Sequence, residues 1–336
     1  MFDHLHRGQW WDIGLDLVTG CTPISPACEN CWSAARTHRA GFQKNPKIRA
    51  RYAGLTTKAP GRPARFTGEV RPQWQDLDKI GAARKPSVYS LWNDLFHPGV
   101  PEEFIDAVLW RIGQNLRHFF IICTKRPERA LEMFIRGRVS PDAVKSWNLM
   151  LMTTMETQAQ ERRVADLLQI PGVLHGVSLE PLLGEINIFH FLGVNMLGGR
   201  PVGIDWVVAG GETGPYARPT HPDWFRRVRD DCAAAGVPFI FKSWGEWYPS
   251  IYLSEEQRQL FWQTKGKQKD SWGILDIEGN WHLETTPWNG RQGNDSRERE
   301  YVMYRISKKA ASRLLDGREW NEVPQIPCPP PASPGT

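Results

Sequence analysis

Short apolar runs rich in β-branched and aromatic residues alternate with helical stretches through the middle of this chain, and each run ends on polar residues. The run 87–92 ends at Asn93 and Asp94 and precedes a predicted helix over 102–114. The run 119–123 ends at Thr124, Lys125 and Arg126, with a helix from Glu128. Residues 149–154 lead to Glu156 and a helix through Leu168, and 173–179 lead to Glu180. The run 206–209 ends at Gly210, Gly211 and Glu212 before a helix over 223–235, and 238–241 ends at Lys242. With a first strand over 12–18, the pattern predicts about six to seven βα units and a parallel sheet covered on both faces. An open doubly wound sheet gathers its ligands at one switch point. Here nearly every strand end carries a polar group, which favours a full or partial (β/α) barrel of the TIM type.

The barrel is expected to occupy residues 1–249, interrupted by a basic insertion over 44–86. From 250 to 324 the rhythm decays into short strand-like pieces, read as an irregular extension packed on the barrel. Within it, 308–316 reads as a helix stopped by Gly317. The Pro-rich segment 325–336 reads as a disordered tail. The 16 tryptophans are unusual in 336 residues, and Trp92, Trp206, Trp244 and Trp247 sit at strand ends, where large rings line a pocket or fill a core.

Charge changes the picture locally. The net charge of +5 permits an anionic partner without requiring one. Between residues 44 and 71, however, Lys44, Lys47, Arg49, Arg51, Lys58, Arg62, Arg65 and Arg71 are opposed only by Glu69. That segment reads either as a solvated insertion or as an arm that contacts the phosphates of a nucleotide or nucleic acid. The polar N-terminus carries no secretory signal, and no apolar run approaches the roughly 20 residues of a membrane span. Six cysteines in such a chain point to metal or catalysis and to a cytoplasmic location rather than to a disulfide framework.

Three of the six, Cys21, Cys28 and Cys31, follow the first strand with spacing C-x6-C-x2-C. Soft thiolates select iron–sulfur clusters, zinc or Cu(I). A four-iron cluster normally takes four cysteines, so three from one loop leave an iron free. A closed zinc site needs a fourth protein ligand, and His38 completes a Cys3His set. Spacing alone leaves these two open; the position after a barrel strand, where barrel active sites lie, favours the open cluster.

A cysteine triad after the first strand of a (β/α) barrel resembles the radical S-adenosylmethionine (SAM) superfamily. The chain as a whole is similar to a phage- and prophage-borne, three-cysteine-motif family of radical-SAM-like proteins. The segments that carry the similarity include 10–12, 19–21, 28–31, 93–97, 124–127, 178–184, 205–219, 236–247 and 308–319. The resemblance implies a [4Fe–4S] cluster on Cys21, Cys28 and Cys31, with one iron chelating SAM. It further implies an electron donor, and a substrate from which the radical made by cleaving SAM abstracts hydrogen. The loop departs from the superfamily's commonest C-x3-C-x2-C by three extra residues. The Gly-Gly-Glu usual after the second strand is replaced by Asn93-Asp94, and a Gly210-Gly211-Glu212 follows the sixth strand instead.

The strand-end groups then take expected roles. Asn93, Asp94, Gly210, Gly211, Glu212 and Lys242 are candidates to bind the cofactor, with solvent-exposed acids as the plain alternative for Asp94 and Glu212. Lys125, Glu156 and Glu180 are candidates for catalysis; the plain alternative pairs Glu156 and Glu180 with Lys125 and Lys242. Lys125 and Arg126 form a cationic corner suited to a carboxylate or phosphate. His97 and His221 read as turn caps. Three functions compete: a radical-SAM-like enzyme acting on a nucleotide or nucleic-acid base, a zinc-dependent hydrolase using Glu156 or Glu180, and a non-catalytic nucleic-acid-binding protein with Cys21, Cys28, Cys31 and His38 on zinc.

Overall fold

The seven apolar runs form the strands of one sheet: β1 (Ile13–Leu15), β2 (Val88–Leu91), β3 (Phe119–Thr124), β4 (Leu149–Thr154), β5 (Leu174–Leu179), β6 (Trp206–Gly210) and β7 (Phe239–Ser243). The structure is a computed structural model and describes residues 9–136, 148–193, 195–197, 200–264, 271–283, 300–306 and 310–325. Strand order follows chain order and every pairing is parallel. Among the described residues β1 and β7 do not pair with each other, so the sheet is a curled half-barrel, open between its first and last strands.

Burial on both faces explains why the strands read as continuous apolar runs. Phe120 and Ile122 of β3 pack with Leu149 and Leu151 of β4 against α3 (Glu102–Gln114) and α4 (Pro127–Ile135). On the opposite face Phe119, Ile121, Met150, Met152, Trp206 and Val208 pack with Trp10. Five parallel connections carry α-helices: α1 (Trp32–Gly41) and α2 (Pro46–Tyr52) after β1, then α3, α4, α5 (Glu161–Leu168) and α6 (Pro222–Ala235). The connection after β5 has no α-helix among its described residues; it holds a 3-10 turn, Phe189–Phe191, and a short hairpin pairing Asn195–Leu197 with Arg200–Val202. The free edge of β7 is covered by residues 320–322, whose Asn321 bridges Ile240, and this blunts an edge that would otherwise template foreign strands.

The basic insertion is folded. Asn45 caps α2 by accepting from the amides of Lys47 and Ile48, Thr56–Thr57 pairs with Arg65–Phe66 as a hairpin, and Val70–Pro72 pairs with Val18–Gly20. Arg51 bridges to Asp76 and Arg71 to Glu69, so two of its cations are internal ties. Beyond α7 (Glu255–Thr264), the extension forms an antiparallel sheet. Its strands are β8 (Trp247–Pro249), β9 (Trp272–Leu275), β10 (Trp281–Leu283) and β11 (Tyr301–Arg305), in the order β8-β11-β9-β10.

Residues 310–317 are not helical: they are turns, with Asp316 and Gly317 both at positive φ. Asp316 is drawn instead into a surface network with Arg226, Arg229 and Tyr252, and tertiary pairing overrides local helix propensity. Residues 307–309 and the expected tail over 326–336 lie outside the described residues. Trp206, Trp244 and Trp247 are core side chains, so the tryptophan-lined pocket is not formed by them. No helix of the described residues is long and apolar enough to cross a membrane.

Candidate metal centre at the strand carboxyl ends

The polar residues that end the parallel strands converge on the cysteine loop. Glycine makes its start possible: Gly20 has φ +88°, and a Cβ there would meet the Glu69 carbonyl at 2.0 Å. Cys31 ends the loop at the N-terminus of α1, where its side chain makes no capping hydrogen bond.

From the sheet side, Lys125 after β3 reaches Ser25 Oγ at 3.0 Å, Cys28 Sγ at 3.7 Å and Glu156 at 3.5 Å. Its neighbour Arg126 donates to Asp94 at 2.6 Å and to the Thr22 carbonyl at 3.0 Å, and lies 3.9 Å from Cys21 Sγ. Glu156 is fully buried, takes a second cation from Arg163 at 3.0 Å, and accepts from the Ala27 amide at 3.4 Å. Glu212 accepts from Asn30 at 3.0 Å and from Arg218 at 2.6 Å, while Arg218 also holds Glu29 and the Pro26 carbonyl. Four strand ends therefore grip one loop through alternating charges.

The geometry revises several expected roles. The Lys125–Arg126 corner faces thiols rather than open solvent. Asp94 and Glu212 are 6% and 4% exposed and fully paired, not solvent-exposed acids. Asn93 sits at φ +62° and its amide donates to Asp16 and the Val18 carbonyl, while its oxygen accepts from Ser33. It fastens the end of β1 to α1. Glu180 and Lys242 form a separate pair at 2.5 Å beside Gly210, with Lys242 over the Trp11 ring, which matches the plain pairing reading. Gly211 is pressed against the Trp244 carbonyl, where a Cβ would lie at 2.0 Å. His221 caps α6, and His97 accepts from the Gly99 amide and bonds Thr22, as turn-capping requires. His38 lies six residues along α1 from Trp32, about 9 Å of helix rise, and bonds Thr56. Arg163, Arg218 and Asn30 carry no signal in the sequence as site residues, because their partners lie 6 to 192 residues away.

All three loop thiols are free and partly buried. Burial, with the Asp94 charge, pushes Cys21 up to about 12, although Arg126 pulls the other way. Burial also raises Cys31, helped by Cys28. At Cys28 burial is outweighed by the Lys125 ammonium and by hydrogen bonds from the Ile24 and Ser25 backbone and the Ser25 hydroxyl, so its thiol is lowered. Among the described residues no three His, Cys, Asp or Glu side chains yet form a metal-holding group. The Cys21 and Cys28 sulfurs instead sit 3.6 Å from Thr22 O and Ser25 Oγ. In kind the three residues suit a thiolate-ligated group, whose ligands must be deprotonated; of the three, only Cys28 is shifted in that direction, while Cys21 and Cys31 are shifted against it.

No curated protein and no solved structure matches this chain. A family model matches residues 7–324, nearly the whole length, and the chain belongs to the family described as "Protein of unknown function (DUF5131)".

Proposed function

We propose that this protein is a radical-SAM-like iron–sulfur enzyme acting on a nucleotide or nucleic-acid base, with Cys21, Cys28 and Cys31 holding a [4Fe–4S] cluster. The supporting observation is the pair of cations at the end of β3, each within 4 Å of a loop sulfur: Lys125 at Cys28 and Arg126 at Cys21. Such a pair offsets the negative charge that three thiolates bring to the carboxyl ends of parallel strands, the usual seat of barrel chemistry. A bound cluster of this kind supplies one-electron chemistry, including reductive cleavage of SAM for hydrogen abstraction.

The chain's own residues orient the loop: Glu156 and Arg163 hold Lys125, Asp94 holds Arg126, and Arg218 with Glu212 holds the 26–30 turn. Asn93, Asp94 and Glu212 have their polar atoms bonded within the protein and do not fit as SAM ligands. The Glu180–Lys242 pair is closed on itself in the same way, and would have to open for its complementary charges to meet an amino acid's ammonium and carboxylate. The partner that reduces the cluster is an electron donor.

Anaerobic purification with iron, sulfide and zinc assays and an ultraviolet–visible spectrum tests this reading. About four irons per chain, lost in Cys28→Ala, is the expected outcome. One tightly bound zinc with no cluster after reconstitution sinks it.

A further inference from the structure

Beside the cysteine loop lies a cavity of about 510 Å³ whose walls come from two distant parts of the chain. One wall is the hairpin of the basic insertion, with Thr57, Arg62, Pro63 and Arg65; the other is Glu29 and Asn30 of the cysteine loop with Tyr216. We propose that this cavity is the seat of one phosphorylated nucleotide, either free or as a unit of a single strand, with Arg62 and Arg65 on the phosphate and Tyr216 under the base. The role as substrate seat rests on the enzyme reading above; the binding itself does not.

The charge arrangement is the first argument. Arg62 and Arg65 are exposed and make no side-chain hydrogen bond or ion pair among the described residues, whereas Arg51 and Arg71 of the same insertion are consumed internally. The single carboxylate on the wall, Glu29, already has Arg218 at 3.2 Å. The cavity therefore presents two uncompensated guanidinium groups, whose planar donor forks suit phosphate.

Construction is the second. The hairpin is anchored from beneath by Leu55, Ala64 and Phe66, all buried, and Thr57 pairs in register with Arg65. The arginines thus project from a fixed element rather than a loose arm. On the opposite wall Tyr216 is 38% exposed, and its carbonyl accepts from Asn30 at 2.8 Å, which locks that wall to the turn between Cys28 and Cys31. Aromatic faces stack any base, which gives affinity without sequence preference. The volume lies within the range typical of small-ligand sites, and a nucleotide held here abuts the loop proposed to carry the cluster.

The test uses the full-length protein and a fluorescein-labelled short single strand, of DNA and of RNA, read by anisotropy over a salt series. AMP and inorganic phosphate serve as competitors. The double variant Arg62→Ala/Arg65→Ala is expected to weaken binding and to flatten the log–log salt slope by ~0.7 for each phosphate no longer neutralised. Tyr216→Ala weakens it about tenfold and Tyr216→Phe does not, because the stacking face remains. The control Lys47→Ala/Arg49→Ala, on exposed positions of α2 away from the cavity, leaves binding unchanged. Displacement by AMP identifies a free-nucleotide seat; binding of the strand without AMP competition identifies a nucleic-acid seat. Equal affinity in the double arginine variant, an equal decrease in the α2 control, or no binding of any probe overturns the proposal. Iron content measured on the same samples separates the two ideas: a seat that fails with iron intact leaves the enzyme reading standing, and intact binding without iron does the reverse.

Discussion

The Lys125 ammonium lies 3.7 Å from the Cys28 sulfur and 3.5 Å from the Glu156 carboxylate, so one cation joins the cysteine loop to the end of β4. Glu156 is buried and still held below the usual carboxylate range: burial opposes this, but Lys125, the Ser25 hydroxyl, Arg163 and the Ala27 amide outweigh it. A buried acid that stays charged keeps its cation in place. That cation stands between a carboxylate and a thiol, and in the proposed reading it is their shared counter-charge.

If the loop holds the proposed cluster, Lys125→Ala should lower iron retention without unfolding the protein. Groups outside the ligand set that tune a metal site typically cost 10- to 100-fold in affinity when removed, so release to a chelator should quicken by about tenfold or more. Lys125→Arg should retain most of the iron. Identical release from wild type and Lys125→Ala would count against the counter-charge role.

Arg218→Ala should free the loop's first turn. Glu212, buried, then keeps only Asn30 and a backbone amide, at a cost of about 1–3 kcal/mol for the orphaned carboxylate. Hydrogen exchange at 27–31 should accelerate more than exchange in the β3 and β4 amides. Uniform acceleration across the sheet would show global destabilisation instead.

Gly211→Ala forces a methyl against the Trp244 carbonyl and should cost about 1–3 kcal/mol in urea unfolding, the typical range for overpacking. Gly184→Ala is the control, since its nearest neighbour would be 3.7 Å away. Its change should stay within ~0.5 kcal/mol. A tolerated Gly211→Ala would mean the β6–β7 strand ends are not packed as described.

Asp316 governs part of the acid stability. Burial alone would raise its pKa, but hydrogen bonds from Arg226, Tyr252 and Arg229 hold it far below the ordinary carboxylate value. A depressed folded-state value gives stability that is fully present above the unfolded value of about 4 and is lost as pH falls below it. Asp316→Asn should unfold more readily at neutral pH and converge with wild type in strong acid. Parallel pH–stability curves for the two proteins would exclude this linkage.

Local pattern carried most of the sheet. Residues such as Phe119 to Cys123 or Leu149 to Met152 are apolar without interruption because both faces are covered, and polar residues follow them. The partners were not legible. Arg218 meets Glu29 across 189 residues, and only the folded topology brings them together. The same limit applies at 308–317, where alanine, leucine and arginine favour a helix but Asp316 is captured by α6. It also merges two populations in the basic insertion: Arg51 and Arg71, tied inside, and Arg62 and Arg65, facing out, share one composition. Glycines such as Gly211 read as candidate ligands, though the tight approach of a carbonyl already explains them.

The tether between Pro26 and Arg218 spans 192 residues, and that distance sets a clock. A ribosome adding roughly 5–20 residues per second needs on the order of 10–40 s after making the cysteine loop to supply the arginine that closes it. Within that interval the contacts from Lys125, Arg126 and Glu156 become available first, and the turn fastened by Arg218 comes last. Closure of the 26–30 turn therefore waits on Arg218, long after Lys125, Arg126 and Glu156 are in place to hold the rest of the loop.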